Sequence, residues 1–192
     1  RLVDPQTDEE VPLGAAGELL VRGKAPFTIM SGYHGRAQET VAAWRNLWFH
    51  TGDVMRRDAD GFFYFVDRMK DCIRRRGENI SSFEVEAVLH THPAVKEVAV
   101  VGIPSPYDSV EQEVKACIVL KTGENAAHQA IFDHCAARMP DFAVPRFIEF
   151  MAEFPKTPTE KIRKDVLRLS GIGPETWVEP SAAGNARRRR PA

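Results

Sequence analysis

The chain has 192 residues, 43% of them hydrophobic and 28% charged, with a formal net charge of −1. That length holds one domain or two small ones. The balance is ordinary for a globular protein, and the near-zero charge excludes the strong electrostatic pull toward nucleic acid or an anionic membrane surface. Three widely spaced cysteines, Cys72, Cys117 and Cys135, make neither a disulfide framework nor a CxxC or CxxH zinc pattern. They read as reduced thiols of a cytoplasmic protein. No apolar run approaches the roughly 18 residues that cross a bilayer, and no signal peptide opens the chain. Residue 1 is Arg rather than Met and residues 1–10 read as mid-protein loop, so a fragment of a longer protein is expected.

In chain order, Gly17 to Gly23 has a β-rich centre between glycines, and Ala37 to Trp44 fits one short helix. Asp53 to Arg57 and Phe62 to Val66 read as two strands joined by a turn, Asp58 to Gly61. Short strands at this spacing point to a small barrel or sheet. The pattern changes near Asp67. Asp71 to Arg76 is strand-like, and Ser81 with Glu84 has the S-x-x-E spacing of a capping box, starting a helix that must end before Pro93. Val95 to Ile103 is a nearly unbroken apolar run, a buried strand. Glu113 to Leu120 alternates, with Val114, Ala116, Ile118 and Leu120 on one face. Ala126 to Met139 is helical in period, with Ile131, Phe132, Cys135 and Met139 on one side. Arg146 to Phe150 is a further strand. Glu160 to Leu169 is a last helix, with Ile162, Val166 and Leu169 inward. Beyond Gly171 the Gly/Pro/Ser/Ala content reads as a tail, and the four arginines Arg187 to Arg190 as its solvated end.

Six motifs follow one another: Gly17-Glu-Leu-Leu-Val-Arg-Gly23; Gly32-Tyr33; Thr51-Gly52-Asp53; Asp67-Arg68-x-Lys70; Arg76-Gly77-Glu78-Asn79-Ile80; and Pro155-Lys-Thr-Pro-Thr-Glu-Lys161. In this order and spacing, over residues 14–168, they resemble the later core motifs of the adenylate-forming superfamily, which includes acyl-CoA synthetases, peptide-synthetase adenylation domains and beetle luciferases. Asp67 to Ser81 most resembles the acyl-CoA ligase branch, and within it ligases of carnitine-like or short acyl acids. The resemblance implies an α+β fold in three parts: a β-rich, barrel-like remnant of a large AMP-binding domain over 1–66, a small α+β lid domain over 67–170, and a disordered tail over 171–192. A junction with almost no linker suits a hinge.

The roles follow from chemistry and from the resemblance together. A carboxylate accepts strong hydrogen bonds from both ribose hydroxyls, and the resemblance assigns that to Asp53. It assigns Arg68 to the nucleotide beside it, a guanidinium suited to an anion; a surface ion pair with Asp67 or Asp71 is the plain rival. Lys70 takes the pivot position about which the lid turns. Gly77 and Glu78 belong to the loop that the resemblance places at the CoA thiol tunnel, with Arg74 to Arg76 either beside it or facing solvent. Tyr107, Phe142 and Arg146 sit where CoA ligases carry stacking aromatics and a phosphate-binding cation, with core packing the rival for Phe142. Lys161 is the catalytic residue: an ammonium between a carboxylate and the α-phosphate reduces the repulsion of two anions. The family pattern has Gly before this lysine; here Glu160 stands there. His50, His90, His92, His128 and His134 form no metal or triad pattern, and no GxSxG occurs; packing or surface roles are expected. No metal ligands are assigned.

The expected activity is therefore ATP-dependent acyl-CoA ligation. A carboxylic acid is activated as acyl-adenylate and passed to CoA, with ATP, CoA and Mg²⁺ as cofactors. The phosphate-binding loop, the acyl pocket and the magnesium site would lie in an N-terminal domain absent from this sequence, so the chain alone is expected to be inactive. Two rivals are a domain that loads a carrier protein and a non-catalytic nucleotide- or CoA-binding module. No nucleic-acid or membrane partner is expected.

Overall fold

The structure is a computed structural model that describes residues 1–108 and 110–180. Its contacts divide into two units, Arg1–Lys70 and Asp71 onward. The division falls four residues after the boundary expected at 66/67, because strand pairing continues through Arg68.

The first unit holds β1 (Leu2–Val3), β2 (Ala16–Val21), α1 (Ala37–Ala43), β3 (Trp44–Arg45), β4 (Trp48–Arg57) and β5 (Phe63–Arg68). They form one antiparallel five-stranded sheet. β4 is its centre, with β2 along one side and β3 and β5 sharing the other. The turn expected over 58–61 is built by Asp58. Its carboxylate accepts from the Phe62 amide at 2.9 Å and from the Tyr64 hydroxyl at 2.7 Å, while Gly61 takes φ +90°, a conformation that costs glycine little.

The second unit holds β6 (Ile73–Arg75), β7 (Glu78–Ile80), α2 (Ser82–His90), β8 (Val95–Pro104), β9 (Gln112–Leu120), α3 (His128–Ala136), β10 (Phe147–Phe150), α4 (Lys164–Ser170) and β11 (Trp177–Val178). The main sheet runs β11-β10-β9-β8, with β10 parallel to β9 and the other pairs antiparallel. Ser81 caps α2 as expected, its hydroxyl accepting from the Glu84 amide at 3.1 Å. Ser81→Ala should lower the unfolding free energy of this unit by about 1 kcal/mol in a urea titration; an unchanged midpoint would show that packing alone holds the helix start.

β8 and β9 are buried on both faces. Val98, Val100, Val114, Ala116 and Ile118 pack with Val85 and Leu89 of α2 and Ile131 and Cys135 of α3. Ala99, Val101, Cys117 and Val119 pack on the other side with Phe147, Phe154 and Leu167 of α4. The alternation in β9 therefore marks one buried face out of two. Lys115, on the second face, is fully buried. Its Nζ donates to the Gly171 carbonyl at 2.6 Å and pairs with Glu149 at 2.7 Å.

Two expectations are corrected. The last helix begins at Lys164 rather than Glu160. Residues 157–161 form a turn instead, and Ile162 and Arg163 are kept out of the helix by the Lys156–Ile162 bridge and by the Arg163 amide donating to Pro155 O at 2.8 Å. The later start turns Leu167 inward and leaves Leu169 86% exposed. The stretch after Gly171 is not a tail over 171–180. β11 pairs with β10, and the Trp177 ring lies 6.0 Å from Phe132, against the core. Residues 181–192, with Arg187 to Arg190, lie outside the described residues.

The thiols of Cys117 and Cys135 are free and buried. Burial pushes Cys117 up to about 11 and Cys135 up to about 12, so both remain protonated at neutral pH. No helix among the described residues is long and apolar enough to cross a membrane.

Candidate functional site

In the first unit the site is a bulge. Between Val54 and His50, β4 advances while β2 steps only from Glu18 to Leu20. Thr51, Gly52 and Asp53 thus face Leu19 alone. A bulge orphans backbone groups and re-aims side chains, and here the orphans are met. The Thr51 hydroxyl donates to Leu19 O at 2.8 Å, the Gly52 amide donates to Glu18 Oε1 at 3.2 Å, and Gly52 O accepts from the Met69 amide at 2.8 Å. Gly52 holds φ +70°, which a β-carbon would strain. Asp53 emerges from the bulge with its carboxylate 2.9 Å from Arg68 Nε, its cross-strand partner on β5. The ion pair weighed for Arg68 therefore exists, but with Asp53; Asp71 pairs with Arg168 at 2.9 Å instead. The pair joins the two residues assigned to the nucleotide, a carboxylate for ribose and a cation for phosphate. Lys70 is exposed in the turn that follows β5, at the division between the units.

In the second unit the Gly77 loop is a two-residue hairpin between β6 and β7, with Arg75 opposite Glu78. Arg76 at φ +53° and Gly77 at φ +82° make a type I′ turn, which requires positive φ at both positions. The glycine is thus demanded by the backbone, and it stands open to solvent with Glu78. The three arginines divide. Arg74 and Arg76 are exposed, whereas Arg75 is fully buried. Arg75 pairs with Glu113 at 2.8 Å and donates to Phe142 O at 2.6 Å; burial lowers its pKa, against the opposing field of Glu113.

Phe142, half-buried on the core, is therefore both packing and hairpin support. Arg146 is 8% exposed, with donors on Asp141 at 2.8 and 3.0 Å and on Glu179 at 2.9 Å. A phosphate would reach it only by displacing a carboxylate. Tyr107 is 40% exposed on the loop after β8. Burial raises its pKa, helped by the negative charges of Glu113 and Glu179. Phe142 is thus tied to the buried base of the Gly77 hairpin through Arg75, and Arg146 is bonded to the neighbouring Asp141.

Lys161 is exposed in a tight turn rather than at a helix start. The Thr157 amide donates to Lys161 O at 2.8 Å and the Glu160 amide to Thr157 O at 2.9 Å. Glu160 takes φ +62°, the left-handed conformation for which a glycine is suited. The glutamate adopts the glycine's geometry and bears the strain. Glu160→Gly should stabilise this unit by about 0.5–1 kcal/mol, the relief of a left-handed non-glycine residue less glycine's extra chain entropy. A loss on urea unfolding would mean that Glu160 contributes through its side chain.

The Lys161 turn and the Gly77 hairpin are anchored at opposite ends of one ladder. Lys156 ties the turn to Glu97, near the start of β8, at 2.9 Å. The hairpin is tied by the Arg74 amide, donating at 3.0 Å to Gln112, which pairs with Pro104 at the far end. At about 3.3 Å per residue the two anchors are roughly 20 Å apart.

Residues 84–161 match the model of the AMP-binding enzyme C-terminal domain. The chain is 39% identical over 162 residues to a crotonobetaine/carnitine–CoA ligase of Proteus sp. (strain LE138), covering 84% of this chain and 31% of that protein. Residues 84–161 thus carry the C-terminal domain of the AMP-binding enzymes, and the chain is similar to their acyl-CoA ligases. The mitochondrial medium-chain acyl-CoA ligase of Bos taurus is 40% identical over 169 residues, 88% of this chain and 27% of that one. Among solved structures, an anthranilate CoA ligase in complex with anthranoyl-AMP superposes with a TM-score of 0.78 at 34% identity, over 89% of this chain and 33% of that one. O-succinylbenzoate CoA synthetase from Bacillus subtilis, in complex with AMP, gives 0.75 at 28%, over 90% and 34%. The chain thus spans about a third of the length of these relatives.

Motif reading missed Glu18 and His50. Glu18 lies within the Gly17–Gly23 motif, yet no spacing rule pairs a β2 carboxylate with a β4 imidazole.

Proposed function

We propose that this chain supplies the ribose loop and the lid of an ATP-dependent acyl-CoA ligase, working with a region that corresponds to the remaining two thirds of its relatives. The observation that carries the reading is the placement of Lys161 and the Gly77 hairpin at opposite ends of the β8–β9 ladder. Two loops whose anchors are roughly 20 Å apart on one ladder suit attending one reacting centre in turn, with the lid rotating at Lys70 between them.

In the first step a carboxylate oxygen attacks the α-phosphorus of ATP. The acyl–phosphate bond forms, the bond to the β-phosphate breaks, and pyrophosphate leaves. Lys161 stabilises the negative charge that gathers there, while Asp53 and Arg68 hold ribose and phosphate. In the second step Lys161 withdraws and the Gly77 hairpin enters. The CoA thiolate attacks the acyl carbonyl, the C–S bond forms and AMP leaves with the C–O electrons. Among the described residues no three His, Cys, Asp or Glu side chains come together as metal ligands. Carnitine-like and short or medium-chain acids are the substrate class the relatives' names favour.

The test is AMP release by a ligase built from this chain and the complementary region, with carnitine, crotonobetaine and medium-chain acids offered in turn. Turnover that requires ATP, acid and CoA together is expected, and the 192-residue chain alone should release no pyrophosphate. Turnover with a pantetheine-bearing carrier protein but not with CoA would overturn the proposal.

A further inference from the structure

Glu18 is a carboxylate 2% exposed on β2, where an unpaired charge would be costly. It is spent on two contacts. Oε1 accepts from the Gly52 amide inside the β4 bulge at 3.2 Å, and Oε2 lies 2.9 Å from His50 Nδ1. Arg45 approaches the same pair, 2.9 Å from His50 Nδ1 and 3.9 Å from Glu18 Oε2. With its proton on Nδ1 the imidazole donates to Glu18 and Arg45 acts as counter-cation to the pair; with its proton on Nε2, Nδ1 accepts from Arg45 instead, so Nδ1 is the contested nitrogen of the cluster. His50 Nε2 is buried without a hydrogen-bond partner among the described residues. The ring's orientation therefore rests on its Nδ1 side.

These contacts hold the bulge at one flank and at its centre: His50 is the paired residue that precedes it, and Gly52 is its middle. Asp53 is the next residue along the chain. Glu18, His50, Thr51 and Gly52 also line one wall of a groove of about 560 Å³, with Arg45 and Met69, so the clamp lies directly beneath a surface that a ligand can reach. We propose that Glu18, acting through His50 and the Gly52 amide, is the positioning residue that presents Asp53 to the nucleotide ribose. A bulge has no ladder of its own to hold its shape. One buried carboxylate bonded to both its flank and its centre holds it, and charge-assisted bonds are the stronger kind.

The inference rests on the proposed ribose role of Asp53, and its test separates the two. In the complete ligase, Glu18→Ala should raise KM for ATP ~10-fold or more, the effect of losing a hydrogen bond to a charged group. The KM for CoA should stay within about twofold, since the thiol meets other residues. His50→Asn, which keeps a donor toward Glu18, should stay within ~3-fold of the parent KM for ATP, whereas His50→Ala should follow Glu18→Ala. Glu18→Gln, which keeps an acceptor for Gly52, should fall between and serves if the alanine variant fails to fold. Asp53→Ala is the control. If Asp53→Ala raises KM for ATP and both Glu18 variants leave it unchanged, the positioning role falls and the ribose role stands. If Asp53→Ala itself leaves KM for ATP unchanged, both fall. A lower active fraction with parent KM values for ATP in all Glu18 and His50 variants would reduce the cluster to packing and overturn the proposal.

Discussion

Replacing Lys161 by alanine in the complete ligase is expected to slow acyl-adenylate formation about 10²–10³-fold, the usual loss when one group stabilising developing charge is removed. Thioester formation from supplied acyl-adenylate should change less than about threefold. The division follows from geometry. Lys161 is carried by a turn tied to Glu97 at one end of β8, while the hairpin proposed to serve the thiol is tied to Gln112 at the other. Pyrophosphate exchange reads the first half-reaction, and CoA-dependent consumption of synthetic acyl-adenylate reads the second. Equal losses in both would sink the alternation of the two loops about Lys70. Equal losses with a lowered unfolding midpoint would point to a structural fault in the turn, which Lys161→Arg, keeping charge but not shape, would expose.

The second large effect is on stability. Arg75→Ala should destabilise the second unit by about 3–5 kcal/mol, because breaking a buried ion pair leaves the partner charge uncompensated. Glu113 would remain almost buried beside the hairpin without its cation, and the Phe142 carbonyl would lose its donor. Against a typical domain stability of about 5–15 kcal/mol this is a large fraction. Arg75→Met with Glu113→Leu should recover most of it, since a volume-matched apolar pair avoids desolvating two charges. Urea unfolding of the chain and of both variants measures the difference. A loss below about 1 kcal/mol for Arg75→Ala would mean that water enters the hairpin base and screens the pair.

The Glu113–Arg75 pair also shows why the three arginines could not be sorted from sequence. In a strand, alternation places Arg75 on the opposite face from Arg74 and Arg76, but which face is buried depends on β9 lying beneath it. Arg146 is a similar case. Its type and position fit a phosphate contact, yet a strand beyond Gly171 brings Glu179 onto it. Composition made that segment a tail because glycine and proline are poor strand formers, and the two residues that do pair, Trp177 and Val178, give no period.

Local rules sufficed for much of the molecule. The Ser81 cap, the turn at Asp58 to Gly61, the apolar run of β8 and the order of six motifs follow from neighbours a few residues apart, and they carried the α+β class and the likeness to the acyl-CoA ligases. Tertiary structure decided what depends on distant partners. It set the bulge that lifts Asp53 toward Arg68, the burial of Lys115, Arg75 and Glu18, and the separation of Lys161 from the Gly77 hairpin along one ladder. It also settled how Glu160 replaces a glycine: the turn closed by Thr157 and Lys161 imposes the left-handed backbone, and the glutamate bears a strain that no sequence rule assigns to it. The physical reason is common to all of these. Capping and turn energies act within a few residues, whereas register, burial and charge pairing are fixed only when strands far apart in the chain meet.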